Sequence, residues 1–233
     1  MTGTVKLSII IPAYNEAGTL LQVVARARSS SLPSGIEREI CVVDDGSTDG
    51  TRDLLRQWEG ASDVRIVTLG RNFGKMAAMR AGVEASSGKY VVIQDADLEY
   101  SPVYYGTMLA PLLAGEASVV LGSRFLGSAK EMRWEVRWAN HFNNWLVNRL
   151  YGCSLTDVNS GLKIFPRDLF RSLRITSGRF GGEAEVTCRL LRMKKRIKEI
   201  PIDYVARSRA EGKKMDLFHA LHVLGCFIYH RFS

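Results

Sequence analysis

The chain has 233 residues, of which 46% are hydrophobic and 24% charged; this is enough apolar material for one large α/β core, or at most two small domains, and rules against a disordered or low-complexity chain. A formal net charge of +8 predicts an anionic partner: a nucleic acid, a phosphate-bearing substrate or an acidic membrane surface. The four cysteines (Cys41, Cys153, Cys188, Cys226) lie far apart without a CxxC pair, which indicates neither a zinc site nor a disulfide framework and suits a reducing compartment.

No stretch approaches the ~20 apolar residues of a transmembrane helix, and the N-terminus enters a strand without a signal-peptide apolar region. A cytoplasmic protein, soluble or peripheral to a membrane, is therefore expected. Apolar runs that read as strands recur at LSIII (7–11), EICVVD (39–44), VRIVTL (64–69), YVVIQ (90–94) and ASVVLG (117–122). Helical spacing fills the gaps: Leu20, Val24 and Ala27 in the first, Met76, Arg80 and Val83 in the third, with Ser47, Thr48 and Asp49 as caps for the second helix. Strands alternating with helices predict parallel pairing and right-handed crossovers. The expected fold is α/β, a Rossmann-like doubly wound sheet with helices on both faces, from 5 to about 122.

Beyond 122 the regularity breaks. A tryptophan-rich basic helix (134–150), a turn GCSLTDVNSGLKIF (152–165), a helix near 183–193 and a strand RIKEIPIDYV (196–205) are expected to add mixed strands and cover the site. The division expected is a catalytic domain over 1–215, with a nucleotide-binding half (5–122) and an acceptor half (123–215), followed by an amphipathic helix over 216–233. That helix carries Leu217, Leu221, Leu224 and Ile228 on one face and His219, His222 and His230 near another. His219 and His222 are three apart, but no third ligand of suitable spacing accompanies them. The Trp and Phe residues of 134–145 recur at helical spacing without an RNP, KH or helix-turn-helix signature, so core packing or membrane contact is expected of them and no nucleic acid.

Ligands of doubly wound sheets collect at the carboxyl edge of the strands. PAYNE (12–16), DDGSTD (44–49) and DADLE (95–99) each follow a predicted strand directly, so three polar clusters share that rim. Asp95 and Asp97, being alternate residues, face one side. Two such carboxylates repel unless a cation neutralises them; Mg²⁺ or Mn²⁺ commonly takes one or two carboxylates plus substrate phosphates. The competing reading is that the two aspartates cap the next helix, which Pro102 helps to start. Asp44 and Asp45, with Ser47, are open to the same alternatives, a cap or a base- and ribose-binding turn. In RNFGKMAAMRAG (71–82), Arg71 and Lys75 flank Gly74 at a helix start, a place suited to phosphate, although a solvated basic face would use the same residues.

In these motifs the chain resembles a family 2 glycosyltransferase of the GT-A fold, and within it the dolichyl-phosphate mannose and polyprenyl-phosphate glycosyltransferase-like group. The resemblance spans nearly the whole chain. It rests on SIIIPAYNE, VVDDGSTDGT, RNFGKMAAMRAG, VVIQDADLEYSP, LGSRF, TDVNSGLKIF and IKEIPIDYVARSRAEGKKM, in the family's order.

The resemblance implies a metal-dependent hexosyltransferase. By it, Pro12, Tyr14, Glu16, Asp44, Asp45, Lys75 and Asp95 bind the nucleotide, Asp95 and Asp97 form the metal-binding DxD with Glu99 as a further ligand, and Arg124, Arg137 (or Arg133) and Ser160 receive a lipid phosphate. Arg207, Lys213 and Lys214 match a basic segment that closes over the donor diphosphate, which makes Asp97 and Arg207 the expected catalytic pair. The implied reaction is inverting transfer of a hexose from a GDP-mannose or UDP-glucose type donor to a polyprenyl or dolichyl phosphate. It would run at an anionic membrane surface reached by the tail helix or through a membrane-protein partner.

Hydroxyl-acceptor relatives carry a catalytic carboxylate where this chain has GGEAEV, so Glu183 or Glu185 is the base of an alternative reading. A phosphate acceptor is already ionised and needs no base. A non-catalytic nucleotide-sugar-binding module is the alternative from another class.

Overall fold

The alternate residues of the first strand go to two different cores, and this splits the molecule into layers. In the computed structural model, which describes residues 5–177, 181–206 and 217–232, strand β1 (Val5–Ala13) sends Leu7, Ile9 and Ile11 into one apolar cluster and Ile10 into another. The same two-residue period puts Ile40 and Val42 of β2 (Ile36–Asp44) in the first cluster and Cys41 and Val43 in the second. Both faces are dry, which explains why these strands read as unbroken apolar runs.

On one face lie α1 (Leu20–Ser29), through Leu20, Val23 and Val24, and α4 (Tyr105–Leu113), through Tyr105, Met108 and Leu109. On the other lie α3 (Lys75–Ala85), through Met76, Met79 and Val83, and α7 (Gly182–Arg192), through Ala184, Val186 and Cys188. A short α2 (Thr51–Leu55) follows β2.

The remaining strands are β3 (Val64–Thr68), β4 (Tyr90–Ile93), β5 (Val119–Lys130), β6 (Lys163–Pro166) and β7 (Ile197–Val205). They form a seven-stranded sheet in the order β3-β2-β1-β4-β6-β5-β7. The first four of these pair in parallel, β6 runs antiparallel to β4 and β5, and β5 pairs in parallel with β7. The expected doubly wound mixed sheet is present.

Two expectations are corrected. β5 does not stop at residue 122 but continues to Lys130, its pairing with β7 interrupted between Ser123 and Ser128. Residues 152–165, read as a turn, end in β6, a central strand that is followed by α6 (Arg167–Ser172). The apolar run around β6 is short and contains Lys163, which is only 1% exposed; its ion pair with Glu183 satisfies a charge that periodicity alone counts against a buried strand.

α5 (Trp134–Tyr151) and α8 (Leu217–Phe232) pack together, with Tyr151 Oη donating to Phe227 O (3.0 Å) and Arg231 Nε to Leu150 O (2.7 Å). The face of α8 that docks carries Cys226, Phe227 and His230, whereas Ile228 of the expected apolar stripe is 49% exposed. The side chains of Leu217, Leu221, His219 and His222 lie outside the described residues.

Candidate active site

The parallel register fixes the rim. Ala13 on β1 is opposite Asp44 on β2, and Ile10 is opposite Ile93 on β4, so the chain leaves all three strands on the same edge. The ladder runs one bond further on each side: Asp45 N donates to Ala13 O (2.8 Å) and Gln94 N to Ile10 O (2.9 Å).

The first two turns are then laced together. Asn15, in the left-handed region at φ 58°, accepts from Thr48 N at Oδ1 (2.8 Å) and donates its own N–H to Ser47 Oγ (3.0 Å), while Glu16 N donates to Thr51 Oγ1 (2.9 Å). Gly46 has φ 75°, and a Cβ there would lie 2.5 Å from the Arg71 carbonyl carbon. Only glycine lets DDGSTD come this close to RNFGK.

The adjacent aspartates of that turn have separate partners. Asp44 is fully buried, accepting from Ser47 N (2.9 Å) on one oxygen and pairing with Arg52 Nε (2.9 Å) on the other. Asp45 accepts from Phe73 N and Gly74 N, both at 2.8 Å, and so anchors the loop that presents Lys75 at the start of α3. Asp45 faces the cleft and Asp44 lies beneath it.

That cleft has a volume of about 320 Å³ and is lined by Pro12, Ala13, Tyr14, Glu16, Asp45, Asn72, Gly74, Lys75, Ala78, Asp95, Ala96 and Asp97. Asn72 and Ala96 were not singled out from sequence; both sit inside motifs that were.

Asp95 and Asp97 do not cap the next helix. The helical turn at Pro102–Tyr104 takes its cap from Ser101 Oγ, which accepts from Val103 N (3.4 Å). Asp97 Oδ1 instead accepts from Glu99 N (3.1 Å) across Leu98, whose φ of 64° is costly for a branched residue and marks a strained turn of the kind found at functional sites. Asp95 Oδ1 lies 2.5 Å from Lys75 Nζ.

Two carboxylates facing one cleft form an all-oxygen donor set suited to a hard divalent ion that completes its shell from phosphate and water. Among the described residues, no group of three His, Cys, Asp or Glu side chains is arranged to hold a metal. Glu99, expected as a further ligand, is buried away from the cleft lining, where it accepts from Tyr204 Oη on β7 (2.7 Å).

The expected acceptor residues are also redistributed. Arg124 is buried and bound in a bidentate pair to Asp157 (Nε–Oδ2 and Nη2–Oδ1, both 2.7 Å), with its guanidinium over the rings of Tyr204 and Phe125. It joins β5 to the 156–160 loop and does not reach out for a phosphate. Ser160 is fully buried and donates to Gly122 O (2.6 Å). Arg137 is exposed on α5 and donates to Ala129 O (2.8 Å); Arg133 is likewise exposed and pairs with Glu135 (2.8 Å). Arg207, Lys213 and Lys214 lie outside the described residues.

The two glutamates of GGEAEV differ. Glu185 is fully buried and accepts from Thr176 N, Ser177 N and Arg189 Nε. Burial raises its pKa, but these donors outweigh burial and hold it down to about 2. Glu183 lies 3.0 Å from Lys75 and 2.8 Å from Lys163; burial again acts upward, and the two lysines outweigh it and hold the carboxyl down to about 2. Neither is poised to take a proton at neutral pH. Lys163 was missed from sequence, although a lysine inside the apolar run GLKIF was a usable signal.

α5 presents opposite chemistries on its two faces. Asn144 and Asn148 grip the 155–158 segment: Asn144 bonds Thr156 O and Val158 N, and Asn148 bonds Leu155 N and O. On the outer face Trp134, Trp138 and Trp145 are 75%, 65% and 61% exposed, and the Phe142 ring lies 5.7 Å from those of both Trp138 and Trp145. Core packing is therefore not their role. Among the described residues no helix is long and apolar enough to cross a membrane.

The family model for glycosyl transferase family 2 matches residues 8–174. A dodecaprenyl-phosphate galacturonate synthase of Rhizobium johnstonii is 29% identical over 174 residues, 74% of this chain and 51% of that protein. An undecaprenyl-phosphate 4-deoxy-4-formamido-L-arabinose transferase of Pseudomonas aeruginosa is 31% identical over 217 residues, 89% of this chain and 60% of that protein. The chain thus spans between half and two thirds of the length of these relatives. The fold is shared with glucosyl-3-phosphoglycerate synthase of Mycobacterium tuberculosis, crystallised with Mn²⁺, uridine diphosphate and phosphoglyceric acid. The TM-score is 0.73 at 22% identity, over 99% of this chain and 79% of that one.

Proposed function

The chain belongs to glycosyl transferase family 2, with the GT-A fold, and on that premise we propose that it transfers a sugar from a nucleoside-diphosphate donor to a polyprenyl phosphate at a membrane surface. The observation that carries the reading is the meeting of Asp95, Asp97 and Lys75 in one cleft at the carboxyl edge of the sheet. The acceptor class is supported by the polyprenyl-phosphate transferases to which the chain is similar.

In this reading Pro12, Tyr14, Glu16 and Asp45 line the nucleoside side of the cleft, Asp44 supports that turn from below, and Lys75 meets the diphosphate. Asp95 and Asp97 would hold Mg²⁺ or Mn²⁺, which supplies electrostatic stabilisation of the diphosphate leaving group. Arg207 and Lys213 would add positive charge over the same diphosphate. Transfer would be a single displacement with inversion, the phosphate oxygen of the acceptor attacking the anomeric carbon. That oxygen is ionised at neutral pH, so no side chain has to take its proton. The engagement of Glu183 by two lysines and of Glu185 by backbone donors supports a phosphate over a hydroxyl acceptor.

The outer face of α5 is suited to a leaflet surface. Tryptophan favours the interface between water and hydrocarbon, and exposed Arg133, Arg137 and Arg149 on and beside the helix suit anionic lipid headgroups. The inner face of the same helix grips the loop that leads to Gly161, where a Cβ would come within 3.0 Å of Asp95 Oδ2. A lipid phosphate arriving along α5 would enter beside the donor.

The test is incubation of the protein with a panel of GDP- and UDP-sugars, Mg²⁺ or Mn²⁺ and a polyprenyl phosphate, read by mass spectrometry. A lipid-linked sugar from one donor is expected. Transfer only to a sugar hydroxyl, with a carboxylate limb in the pH profile that Glu183→Gln removes, would favour the hydroxyl-acceptor reading. Nucleotide-sugar binding without turnover on any acceptor would favour a binding module.

A further inference from the structure

Side chains of alternating charge run from the interior of the sheet to the mouth of the cleft. Lys163, on the central strand β6 and 1% exposed, places its ammonium 2.8 Å from Glu183 Oε2 and against the Ser160 carbonyl. Glu183 Oε1 lies 3.0 Å from Lys75 Nζ, and Lys75 Nζ lies 2.5 Å from Asp95 Oδ1. A lysine this deeply buried is tolerated only when it is paired, so Lys163 holds Glu183 in place as firmly as Glu183 holds it.

The backbone is built for this approach. Glu183 stands in the first turn of α7, where a negative charge is favoured by the helix dipole. Its neighbour Gly182 has no room for a Cβ, which would overlap the Met76 side chain of α3. The close contact of the two helix starts brings Glu183 to Lys75.

An ammonium beside a single carboxylate collapses onto it, and here that carboxylate belongs to Asp95. Glu183 divides the attraction. We propose that Lys163, acting through Glu183, is a positioning residue for Lys75: the pair shares the Lys75 ammonium with Asp95, so that Asp95 keeps capacity for a divalent cation and the ammonium stands where a nucleoside diphosphate arrives. This rests on the donor reading of the cleft given above and adds a role for two residues that would touch neither donor nor acceptor.

The test is calorimetric titration of the full chain with GDP or UDP in the presence of Mn²⁺. It compares the unsubstituted protein with Lys163→Met, Glu183→Gln, Lys75→Met and the double variants that combine each of the first two with Lys75→Met. Glu183→Gln and Lys163→Met are each expected to weaken nucleotide binding about tenfold, the scale of one charged hydrogen bond. Neither should weaken it further once Lys75 is methionine, because a residue that acts through Lys75 has nothing left to position. Glu183→Gln keeps the shape of the site and one acceptor oxygen for a lysine while removing the charge, and it decides the matter if Lys163→Met does not fold. Unchanged affinity in the folded variants, or losses that add in full to that of Lys75→Met, would overturn the positioning role alone. Absence of GDP and UDP binding by the unsubstituted protein with Mn²⁺ would instead overturn the donor reading, and this assignment with it.

Discussion

The Lys75 ammonium lies 2.5 Å from Asp95 Oδ1, so the like charges that end β4 are partly compensated by the chain itself. Asp97 Oδ1 accepts from Glu99 N at 3.1 Å across the turn at Leu98. The described contacts of the two aspartates thus come from different segments, α3 for Asp95 and the following turn for Asp97, and each can be substituted separately.

Asp97→Asn retains an oxygen that can accept from Glu99 N, so the strained turn at Leu98 should persist. What it removes is a carboxylate charge facing the cleft. Transfer is expected to fall by at least about 100-fold, the scale of one electrostatic contribution to catalysis, with an unchanged melting profile. Near-normal turnover in the folded variant would refute a metal-binding role for Asp97.

Arg124→Ala is expected to act on stability before it acts on the acceptor. Its guanidinium is 8% exposed and its partner Asp157 fully buried, and removing one member of a buried pair leaves the other charge uncompensated, a loss of about 3–5 kcal/mol. Denaturant midpoints measure this. A variant of unchanged midpoint with a raised acceptor KM would restore Arg124 to phosphate binding.

Glu185→Gln should change the acid limb of stability. The folded carboxyl is held at about 2, below its ordinary value of 4.5, so the folded state binds fewer protons and the group stabilises it at every pH above 4.5. That contribution is lost as pH falls from 4.5 toward 2. The variant should therefore be less stable than the parent at pH 7, and the gap should close through that window. A gap independent of pH would show that the carboxylate charge is not what matters.

Trp138→Ala combined with Trp145→Ala should cost no more stability than the two ring contacts with Phe142, about 0.5–1.5 kcal/mol each, because both indoles are largely exposed. It should nonetheless release the protein from anionic vesicles in a cosedimentation assay. Equal sedimentation of parent and variant would assign membrane contact elsewhere, with the exposed residues Ile228, Tyr229 and Phe232 of α8 next to be tested.

Much was legible in the chain order. The alternation of apolar runs with helical spacing, and the polar clusters PAYNE, DDGSTD and DADLE after successive strands, were enough to predict a doubly wound sheet with a site at its carboxyl edge. They sufficed because strand period and strand-end position are local properties: Ile9 and Ile10 point to opposite faces whatever lies elsewhere. Of the nucleotide- and metal-binding residues that the family resemblance implied, Pro12, Tyr14, Glu16, Asp45, Lys75, Asp95 and Asp97 line one cleft, whereas Asp44 and Glu99 do not.

Only the tertiary structure decided which charged and polar groups remain available for ligands. Arg124 is consumed by Asp157, 33 residues away, and Glu99 accepts from Tyr204, 105 residues away. Glu185 is held by the 176–177 backbone and Lys163 by Glu183, while the tryptophans of α5, read as core or membrane residues alike, were left outside. A motif names residue types, but whether a charge meets solvent, ligand or counter-ion depends on desolvation and on partners that folding brings from distant segments. In this protein that difference separates Lys75 and Asp95, which face the cleft, from Arg124 and Glu185, which hold the walls around it.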